Sequence, residues 1–226
     1  MSVITCTNRN EMMGNVFHNY LLQTIKHKEL IIILNKDDMD ISVWKKEARK
    51  YPSVYIYQIP EGMTVSDCKN EAIQKATYQH IAKFDDDDFY APSYLQSAWQ
   101  TFQSHQEADI VGKSSVYYYF EEQNLLCLFP SLKENTWTDY VVDSTLVFKK
   151  KIFNQVTFRK QKVGSDKRFQ RDCHMMGFHI FSTDRYNHAV VRRNNQHHTW
   201  NIREKQFMNI CSEVIYTDNY QAIVTR

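Results

Sequence analysis

The sequence has little glycine and little proline, 5 and 4 of its 226 residues. No stretch rich in proline, glycine or serine divides the chain, and neither an internal repeat nor a low-complexity segment interrupts it. A chain of this length forms one sizeable α/β domain more readily than two. We therefore expect a single domain over residues 1–226.

Paired cysteines are lacking as well. The five cysteines stand at positions 6, 68, 127, 173 and 211, and no C-x-x-C pair occurs among them. An odd number of scattered cysteines argues against both a disulfide framework and a zinc site. We expect these cysteines to be reduced and mostly buried.

Long apolar runs are also missing. No run approaches the roughly 20 residues that a membrane-spanning helix needs. The first residues, MSVITCTNRN, lack the basic, apolar and small-residue segments of a signal peptide. The sequence therefore predicts a cytoplasmic protein without a transmembrane segment.

Neither sign of charge dominates. The chain has 28 Lys and Arg residues against 26 Asp and Glu residues, which gives a net charge of +2. This balance argues against a nucleic-acid partner and leaves room for a small anionic ligand. Hydrophobic residues make up 42% of the chain and aromatic residues 14%, which is enough for a continuous core.

Apolar runs alternate with helical patterns over the first half of the chain. The predicted strands are SVITCT, LIIIL, VYIYQI and HIAKF, at 2–7, 30–34, 54–59 and 80–84. The helix before the fourth strand, over 66–78, is predicted to begin with Ser66 as its N-cap. Strands that alternate with helices indicate a mostly parallel sheet with right-handed crossovers.

The second half follows a different pattern. The segments DIVGKSSVYYYF and LLCLF flank the polar turn EEQN and predict a β-hairpin. Beyond it, DSTLVFKK predicts a strand, GSDKRFQRDCHMMG a helix that ends at Gly177, and HIFST and AVVRR two short strands. A last helical stretch is expected from about Trp200. The fold class is therefore α/β with a hairpin-containing second half.

Four consecutive aspartates, Asp85–Asp88, follow the fourth predicted strand. Ligands of open parallel sheets bind beyond the carboxyl ends of the strands. Residues i and i+2 of an extended segment point the same way, so Asp85 and Asp87 can hold one hard cation while Asp86 and Asp88 face elsewhere. The alternative interpretation is an acidic loop that interacts with the dipole of the next helix.

The stretch NEAIQKATYQHIAKFDDDDFYAPSYL resembles glycosyltransferase family 2, the inverting GT-A enzymes. In that family an Arg/Lys-Asn-x-(Gly/Ala)-Ile helix leads to a strand that ends in Asp-x-Asp-Asp, an aromatic residue and a proline-started helix. The resemblance covers roughly residues 2–200. It implies a GT-A fold, with a Rossmann-like mixed central sheet flanked by helices. Residues 1–100 would bind the nucleotide, and residues 101–226, the small hairpin-containing half, would bind the acceptor.

The resemblance assigns the Asp-x-Asp pair to Asp85 and Asp87. Asp87 is then the main metal ligand, Asp85 holds the metal or the donor ribose, and Asp86 belongs with the donor-binding residues. A Mn²⁺ or Mg²⁺ ion held there would bridge the diphosphate of a nucleotide-sugar, and Asp88 would support the ligands.

Further donor-binding candidates follow from the same resemblance. The first strand ends in TCTNR, where family members enclose the nucleotide, so Thr5, Thr7, Asn8 and Arg9 are candidates. An ordinary strand-to-helix turn is the alternative. Lys69 stands where the family has Arg before Asn, and a cation there suits the donor diphosphate. A surface lysine is the alternative at that position.

The end of the second strand departs from the family pattern of Asp-Asp-Gly-Ser. Here the string is LNKDDMD, in which Asn35 and Lys36 replace the two aspartates. Asp37 or Asp38 would then read the base, and we include Asn35 and Asp38 in the predicted nucleotide site. The identity of the base stays open, with a UDP-sugar favoured as donor.

Inverting transfer needs a general base that takes the proton of the acceptor hydroxyl. The family uses the aspartate of a Gly-Glu-Asp motif at a helix start. The string GSDKRF at 164–169 matches that motif with Ser165 in place of the glutamate. Asp166 is therefore the predicted base, and an ordinary aspartate at a helix start is the alternative.

The late segment NNQHHTW, 194–200, falls where related enzymes supply a metal-binding histidine or a Gln-x-x-Arg-Trp motif. Gln196 and Trp200 keep the spacing of that motif, whereas Thr199 replaces the arginine. We predict His198 as a third metal ligand, with His197 behind it, because imidazole suits Mn²⁺ beside carboxylates. Histidines of a polar surface loop are the alternative.

Together these features predict a metal-dependent, inverting glycosyltransferase that moves a sugar from a nucleotide-diphosphate sugar to a hydroxyl of a glycan, protein or lipid. Synthesis of cell-surface or coat glycans is the expected role. Departures at Lys36, Ser165 and Thr199 leave a non-catalytic partner of an active transferase as one alternative. A nucleotidyltransferase is another, although TNRNEMMGN has one glycine where such enzymes carry a glycine-rich, basic loop.

Overall fold

The computed structural model describes residues 1–130, 132–161, 164–193 and 210–226. The first half of the chain forms four parallel strands, which are β1 (Ser2–Thr7), β2 (Glu29–Leu34), β3 (Val54–Gln58) and β4 (His80–Lys83). They are arranged in the order β3-β2-β1-β4. The four strands predicted from the apolar runs are confirmed, and their carboxyl ends share one edge of the sheet.

Both faces of this sheet are covered, which explains the uninterrupted apolar run of β2. Every residue of β2 is buried. Ile32 packs in a cluster with Trp44 on one face, whereas Ile31 and Ile33 pack with Ile73 on the other. A strand covered on two sides needs apolar residues at odd and even positions alike.

Three helices connect these strands: α1 (Met13–Leu22), α2 (Ile41–Ala48) and α3 (Val65–Lys75). A capping box starts α3, in which the side chains of Thr64 and Asp67 each accept from the other's backbone N–H. The prediction of Ser66 as N-cap is therefore wrong. Ser66 lies within the first turn, where its hydroxyl donates to the carbonyl of Arg159 at 2.9 Å.

The second half of the chain adds short strands and two longer helices. The strands are β5 (Phe89–Tyr90), β6 (Ala108–Lys113), β7 (Tyr117–Phe120), β8 (Leu125–Leu128), β9 (Thr136–Thr138), β10 (Val147–Lys149), β11 (His179–Thr183), β12 (His188–Arg192) and β13 (Val214–Tyr216). The helices are α4 (Tyr94–Ser104), α5 (Ser165–Met175) and the short α6 (Tyr220–Val224).

Four of these strands extend the parallel sheet, giving the order β3-β2-β1-β4-β10-β6-β11-β9. The sheet is mixed because β10 runs antiparallel between β4 and β6. The strand predicted at DSTLVFKK is shorter than expected, since a 3-10 turn at Asp143–Thr145 precedes β10. That turn brings Asp143 next to the end of β4.

A second sheet has the order β13-β8-β7-β12-β5. The antiparallel pair β7 and β8 forms the predicted hairpin, and Asn124 in its turn adopts a positive φ of 50°. The first arm is shorter than predicted, because DIVGK belongs to β6 of the first sheet. β12 pairs with β7 on one side and with β5 on the other. Because β5 follows the four aspartates directly, the second sheet fixes one end of that loop. Among the described helices, none is long and apolar enough to cross a membrane.

Candidate active site

The four aspartates form a loop, here called the aspartate loop (Asp85–Asp88), at the carboxyl end of β4. Helix α1 holds its backbone: the side-chain amide of Asn15 donates to the carbonyls of Asp86 at 2.8 Å and Asp88 at 3.0 Å. Asn19 donates to the Asp88 carbonyl at 2.8 Å. The loop therefore lies where the sequence predicted, beyond the strand ends and against α1.

Tyr90, buried in β5, supports the loop from below. Its hydroxyl accepts from the backbone N–H of Asp85 at 2.9 Å and donates to the carbonyl of Ser144 at 2.8 Å. His188 stacks on the Tyr90 ring with 4.9 Å between ring centroids. The His188 ring lies 2.8 Å from the Ser144 hydroxyl through Nε2 and 2.9 Å from the Phe89 carbonyl through Nδ1. The loop thus rests on a buried, hydrogen-bonded aromatic pair.

The side chains of the aspartate loop point to different partners. Asp85 Oδ1 is 2.8 Å from Lys83 Nζ, and Asp88 Oδ1 accepts from the backbone N–H of Val191 at 3.1 Å. Burial, and then the charges of Asp87 and Asp85, raise the pKa of Asp88 well above its usual range. For Asp85, burial would raise the pKa, but the contact with the Lys83 ammonium, together with the charges of Lys69 and His188, holds it below its ordinary value.

Arg9 connects two of the aspartates to the end of β1. Its guanidinium group bonds to the carboxylate of Asp86 and lies 3.0 Å from Asp87 Oδ2. The hydroxyl of Thr7 donates to the same Asp86 carboxylate. Arg193 donates to the Asp87 carbonyl. The structure therefore brings Thr7, Arg9, Asp86 and Asp87 together, as expected for residues that enclose one ligand.

The other predicted nucleotide-binding residues are more dispersed. Thr5 is buried within β1 and Asn8 is exposed in the loop beyond it. The Asn35 amide donates to the carbonyl of Pro60 at 2.8 Å. Asp38 has a side chain that is 73% exposed and 3.3 Å from Lys36. Asn35 and Asp38 follow β2, next to β1 in the sheet, so a nucleotide at the strand ends could reach them.

Lys69 bonds to the predicted base, a contact that the sequence did not indicate. Its ammonium group donates to both carboxylate oxygens of Asp166, at 2.8 and 2.7 Å, and to the Ser165 hydroxyl at 3.2 Å. Asp166 stands in the first turn of α5, which begins after Gly164 with a φ of +79°. Lys69 was predicted to bind the donor diphosphate. In the structure its side chain is buried against α5, so the alternative interpretation as a surface lysine is wrong.

Lys83 is a functional candidate that sequence reasoning missed. Its Nζ lies 2.8 Å from Asp85 Oδ1 and 3.9 Å from Asp166 Oδ2, and it donates to the carbonyl of Asp143 at 3.2 Å. The available signal was a lysine inside the apolar run HIAKF. We call Lys69, Lys83, Asp85, Asp143 and Asp166 the lysine–carboxylate cluster.

Asp143, from the second half of the chain, completes this cluster. Its Oδ1 accepts from the Tyr140 hydroxyl at 2.8 Å and from the Gln170 amide at 3.2 Å. Burial, together with the charge of Asp166, raises the pKa of Asp143 to about 6. A carboxyl group with such a pKa changes charge close to neutral pH.

Of two cavities near the parallel strands, the smaller one borders the lysine–carboxylate cluster. A cavity of about 30 Å³ opens between β1, β4 and α3, lined by Ile4, Cys6, Val65, Lys69, Lys83, Phe84 and Asp85. A larger cavity of about 290 Å³ lies between α2 and β3 and has no carboxylate in its lining. We place the site at the smaller cavity, because charged groups converge there.

The donor set of the aspartate loop fits a hard divalent cation. Carboxylate oxygens are the usual protein ligands of Mg²⁺ and Mn²⁺, which commonly bind one or two carboxylates together with substrate phosphates. Within the described ranges, no group of three or more His, Cys, Asp or Glu is arranged to hold a metal ion. Two carboxylates of the loop, completed by the phosphates of a diphosphate, would supply the kind of ligands that such an ion takes. His198, the predicted third ligand, lies outside the described residues.

Known proteins share this architecture. A model of the family described as Glycosyl transferase family 2 matches residues 2–181. S. aureus TarS 1–349 in complex with UDP-GlcNAc is 13% identical, with a TM-score of 0.68 over 92% of this chain and 63% of that chain. The mannosyltransferase PcManGT from Pyrobaculum calidifontis, in complex with GDP-Man and Mn²⁺, is 17% identical, with a TM-score of 0.62 over 84% of this chain and 56% of that chain.

These similarities establish the fold. The GT-A architecture predicted from the sequence, a mixed central sheet flanked by helices, is confirmed. The chain spans less than two thirds of the length of these solved structures, 60% for one S. aureus TarS 1–349 structure. No curated protein matches the sequence.

Proposed function

Because the chain belongs to glycosyltransferase family 2, we propose that it transfers a sugar from a nucleotide-diphosphate sugar to a hydroxyl group, with inversion at the anomeric carbon. The observation that carries this proposal is the aspartate loop at the carboxyl ends of parallel strands, with Arg9, Lys69 and Lys83 around it. That position is where open α/β sheets bind ligands. Fold neighbours in complex with UDP-GlcNAc and GDP-Man support a nucleotide-sugar donor.

The donor occupies the first half of the chain in this proposal. Residues 1–100 bind the nucleotide through the ends of β1 and β2 and the aspartate loop, and residues 101–226 bind the acceptor. Thr7 and Arg9 are the best-supported donor contacts, because both bond to the carboxylate of Asp86 in the aspartate loop. A UDP-sugar is the favoured donor.

Asp85 and Asp87 would hold Mn²⁺ or Mg²⁺. A divalent ion there would offset negative charge on the departing diphosphate. The Mn²⁺ complex of the P. calidifontis mannosyltransferase supports this choice of ion. His198 stays the predicted third protein ligand.

Asp166 is the proposed general base. The acceptor oxygen forms a bond to the anomeric carbon, the bond from that carbon to the diphosphate breaks, and the acceptor proton goes to Asp166. The ammonium groups of Lys69 and Lys83 lie 2.7 and 3.9 Å from Asp166 Oδ2, so two cations orient this carboxylate. The acceptor is a glycan, protein or lipid hydroxyl, and synthesis of cell-surface or coat glycans is the proposed role.

Calorimetric titration with UDP-, GDP-, CDP- and dTDP-sugars, with and without Mn²⁺, tests the proposal. One nucleotide series should bind in a Mn²⁺-dependent manner, and the bound donor should be hydrolysed slowly without an acceptor. If none of the four series binds, the proposed function is wrong. Tight binding without hydrolysis or transfer would instead assign the chain to the non-catalytic partners.

A further inference from the structure

Lys83 is a buried cation that follows two apolar residues of β4. Its side chain is 8% exposed, and its neighbours Ile81 and Ala82 in β4 are fully buried. Removing an ammonium group from water is costly unless opposite charges compensate for it. An apolar residue would fill the same position of β4 without that cost. The position therefore calls for an explanation beyond packing.

The contacts of Lys83 join the two halves of the proposed site. Its ammonium group is 2.8 Å from Asp85 Oδ1 in the aspartate loop and 3.9 Å from Asp166 Oδ2 at the start of α5. In a third contact, the ammonium group donates to the Asp143 carbonyl at 3.2 Å, which helps to hold it in place. One side chain thus links a predicted metal ligand to the predicted base.

The contact between the Lys83 ammonium group and Asp85 also affects the binding of a divalent metal ion to Asp85. A divalent ion bound to Asp85 would be repelled by an ammonium group already in contact with the same carboxylate, and partial burial strengthens that repulsion. The diphosphate of a donor carries negative charge that offsets it. Metal binding before the donor is therefore disfavoured, and metal binding together with the donor is favoured.

We propose that Lys83 is a positioning residue that joins Asp85 to Asp166 and competes with the divalent cation for Asp85. This inference rests on the proposed function. It predicts two opposite effects of removing the Lys83 charge. The metal should bind more tightly without nucleotide, whereas transfer should slow because Asp85 and Asp166 lose their common partner.

Binding of Mn²⁺ without nucleotide, followed by electron paramagnetic resonance of the free ion, tests the first effect. Lys83→Met keeps most of the side-chain length and removes the charge, and we expect Mn²⁺ to bind roughly tenfold more tightly or better. Adding Asp85→Asn to Lys83→Met should abolish the gain. Lys113→Met is the matched control, because Lys113 is 4% exposed and bonds to Thr183 and Asp184 instead; it should leave Mn²⁺ affinity unchanged.

Steady-state kinetics at saturating Mn²⁺ test the second effect. In Lys83→Met, kcat should fall roughly 100-fold, because small displacements of the reacting groups are costly, while KM for the donor should change little. Unchanged or weaker Mn²⁺ binding in a folded Lys83→Met protein would overturn the proposal, since a purely structural lysine gives that result.

Folding is controlled separately. Lys83→Gln, which keeps a hydrogen-bond donor, is measured in parallel, and if both Lys83 variants fail to fold while Lys113→Met folds, Lys83 serves the fold and the proposal is wrong. The metal measurement needs neither donor nor acceptor. A wild-type protein that binds no nucleotide-sugar would therefore refute the proposed function without affecting the test of competition for Asp85.

Discussion

His188 lies beneath the aspartate loop, and we expect it to make the protein sensitive to mild acid. It is fully buried, and its Nδ1 faces the Phe89 carbonyl while Nε2 faces the Ser144 hydroxyl. A carbonyl only accepts, so Nδ1 carries the proton and Nε2 of the neutral ring accepts from Ser144. Protonation of Nε2 would remove that acceptor.

The magnitude follows from the shift in the pKa of His188. Burial is the main cause that lowers this pKa from 6.5 to about 4, and the charges of Lys113 and Lys83 act in the same direction while Asp85 opposes them. The unfolded chain therefore binds a proton near pH 6.5 and the folded chain only near pH 4. The contribution to stability is complete above pH 6.5 and is lost as the pH falls towards 4, in total about 3 kcal/mol.

Urea unfolding at pH 7 and at pH 4.5 measures this effect. The wild type should lose roughly 2 kcal/mol more than His188→Asn between the two pH values, because the variant has no proton to take up at this site. His80→Asn is the comparison variant. Burial is also the main cause that lowers the pKa of His80 to about 4, but His80, unlike His188, is only partly buried. Equal pH dependence in the wild type and His188→Asn would refute the reasoning.

Three further predictions concern the loop, the base and the core. Asp87→Asn should abolish Mn²⁺-dependent nucleotide affinity in calorimetry, whereas Asp139→Asn, at a side chain that is 86% exposed, should not; retained affinity in Asp87→Asn would exclude it as a ligand. Asp166→Asn should lower turnover by roughly 10²–10⁴ with donor affinity retained, and full activity would assign the base elsewhere. Gly112→Ala should lower the free energy of unfolding by about 1–3 kcal/mol, because the added Cβ would lie 2.5 Å from Val141 Cγ2; an unchanged urea midpoint would contradict this.

Local signals in the sequence were sufficient for the first half of the fold. Apolar runs such as that of β2 predict strands because burial on both faces leaves no polar positions. The start of α3 was predicted two residues late, although Thr64 and Asp67 have the spacing of a capping box. Ser66 has Lys69 three residues later, whereas Thr64 has the acidic partner Asp67 at that spacing.

The contacts of the candidate site could not be predicted, because they join distant parts of the chain. Lys69 and Asp166 are 97 positions apart, and Lys83 and Asp143 are 60 apart. Both lysines are recognisable in the sequence, but spacing along the chain does not specify which carboxylates a buried ammonium group will meet. Strand β5 has two residues, too few for any periodic pattern, and it forms only because β12 pairs with it.

The distribution of partners explains how the fold tolerates four consecutive carboxylates at one strand end. Three different segments supply the partners: Lys83 of β4 for Asp85, Arg9 beyond β1 for both Asp86 and Asp87, and a backbone N–H of β12 for Asp88. A bound cation and a diphosphate would add positive and negative charge together, so the charge balance of the loop is kept only when both arrive. A cation alone would be repelled by Arg9 and Lys83, and a diphosphate alone would be repelled by the carboxylates of the loop. In the proposed function, the electrostatics of the aspartate loop would therefore favour a metal and a diphosphate that bind as one unit.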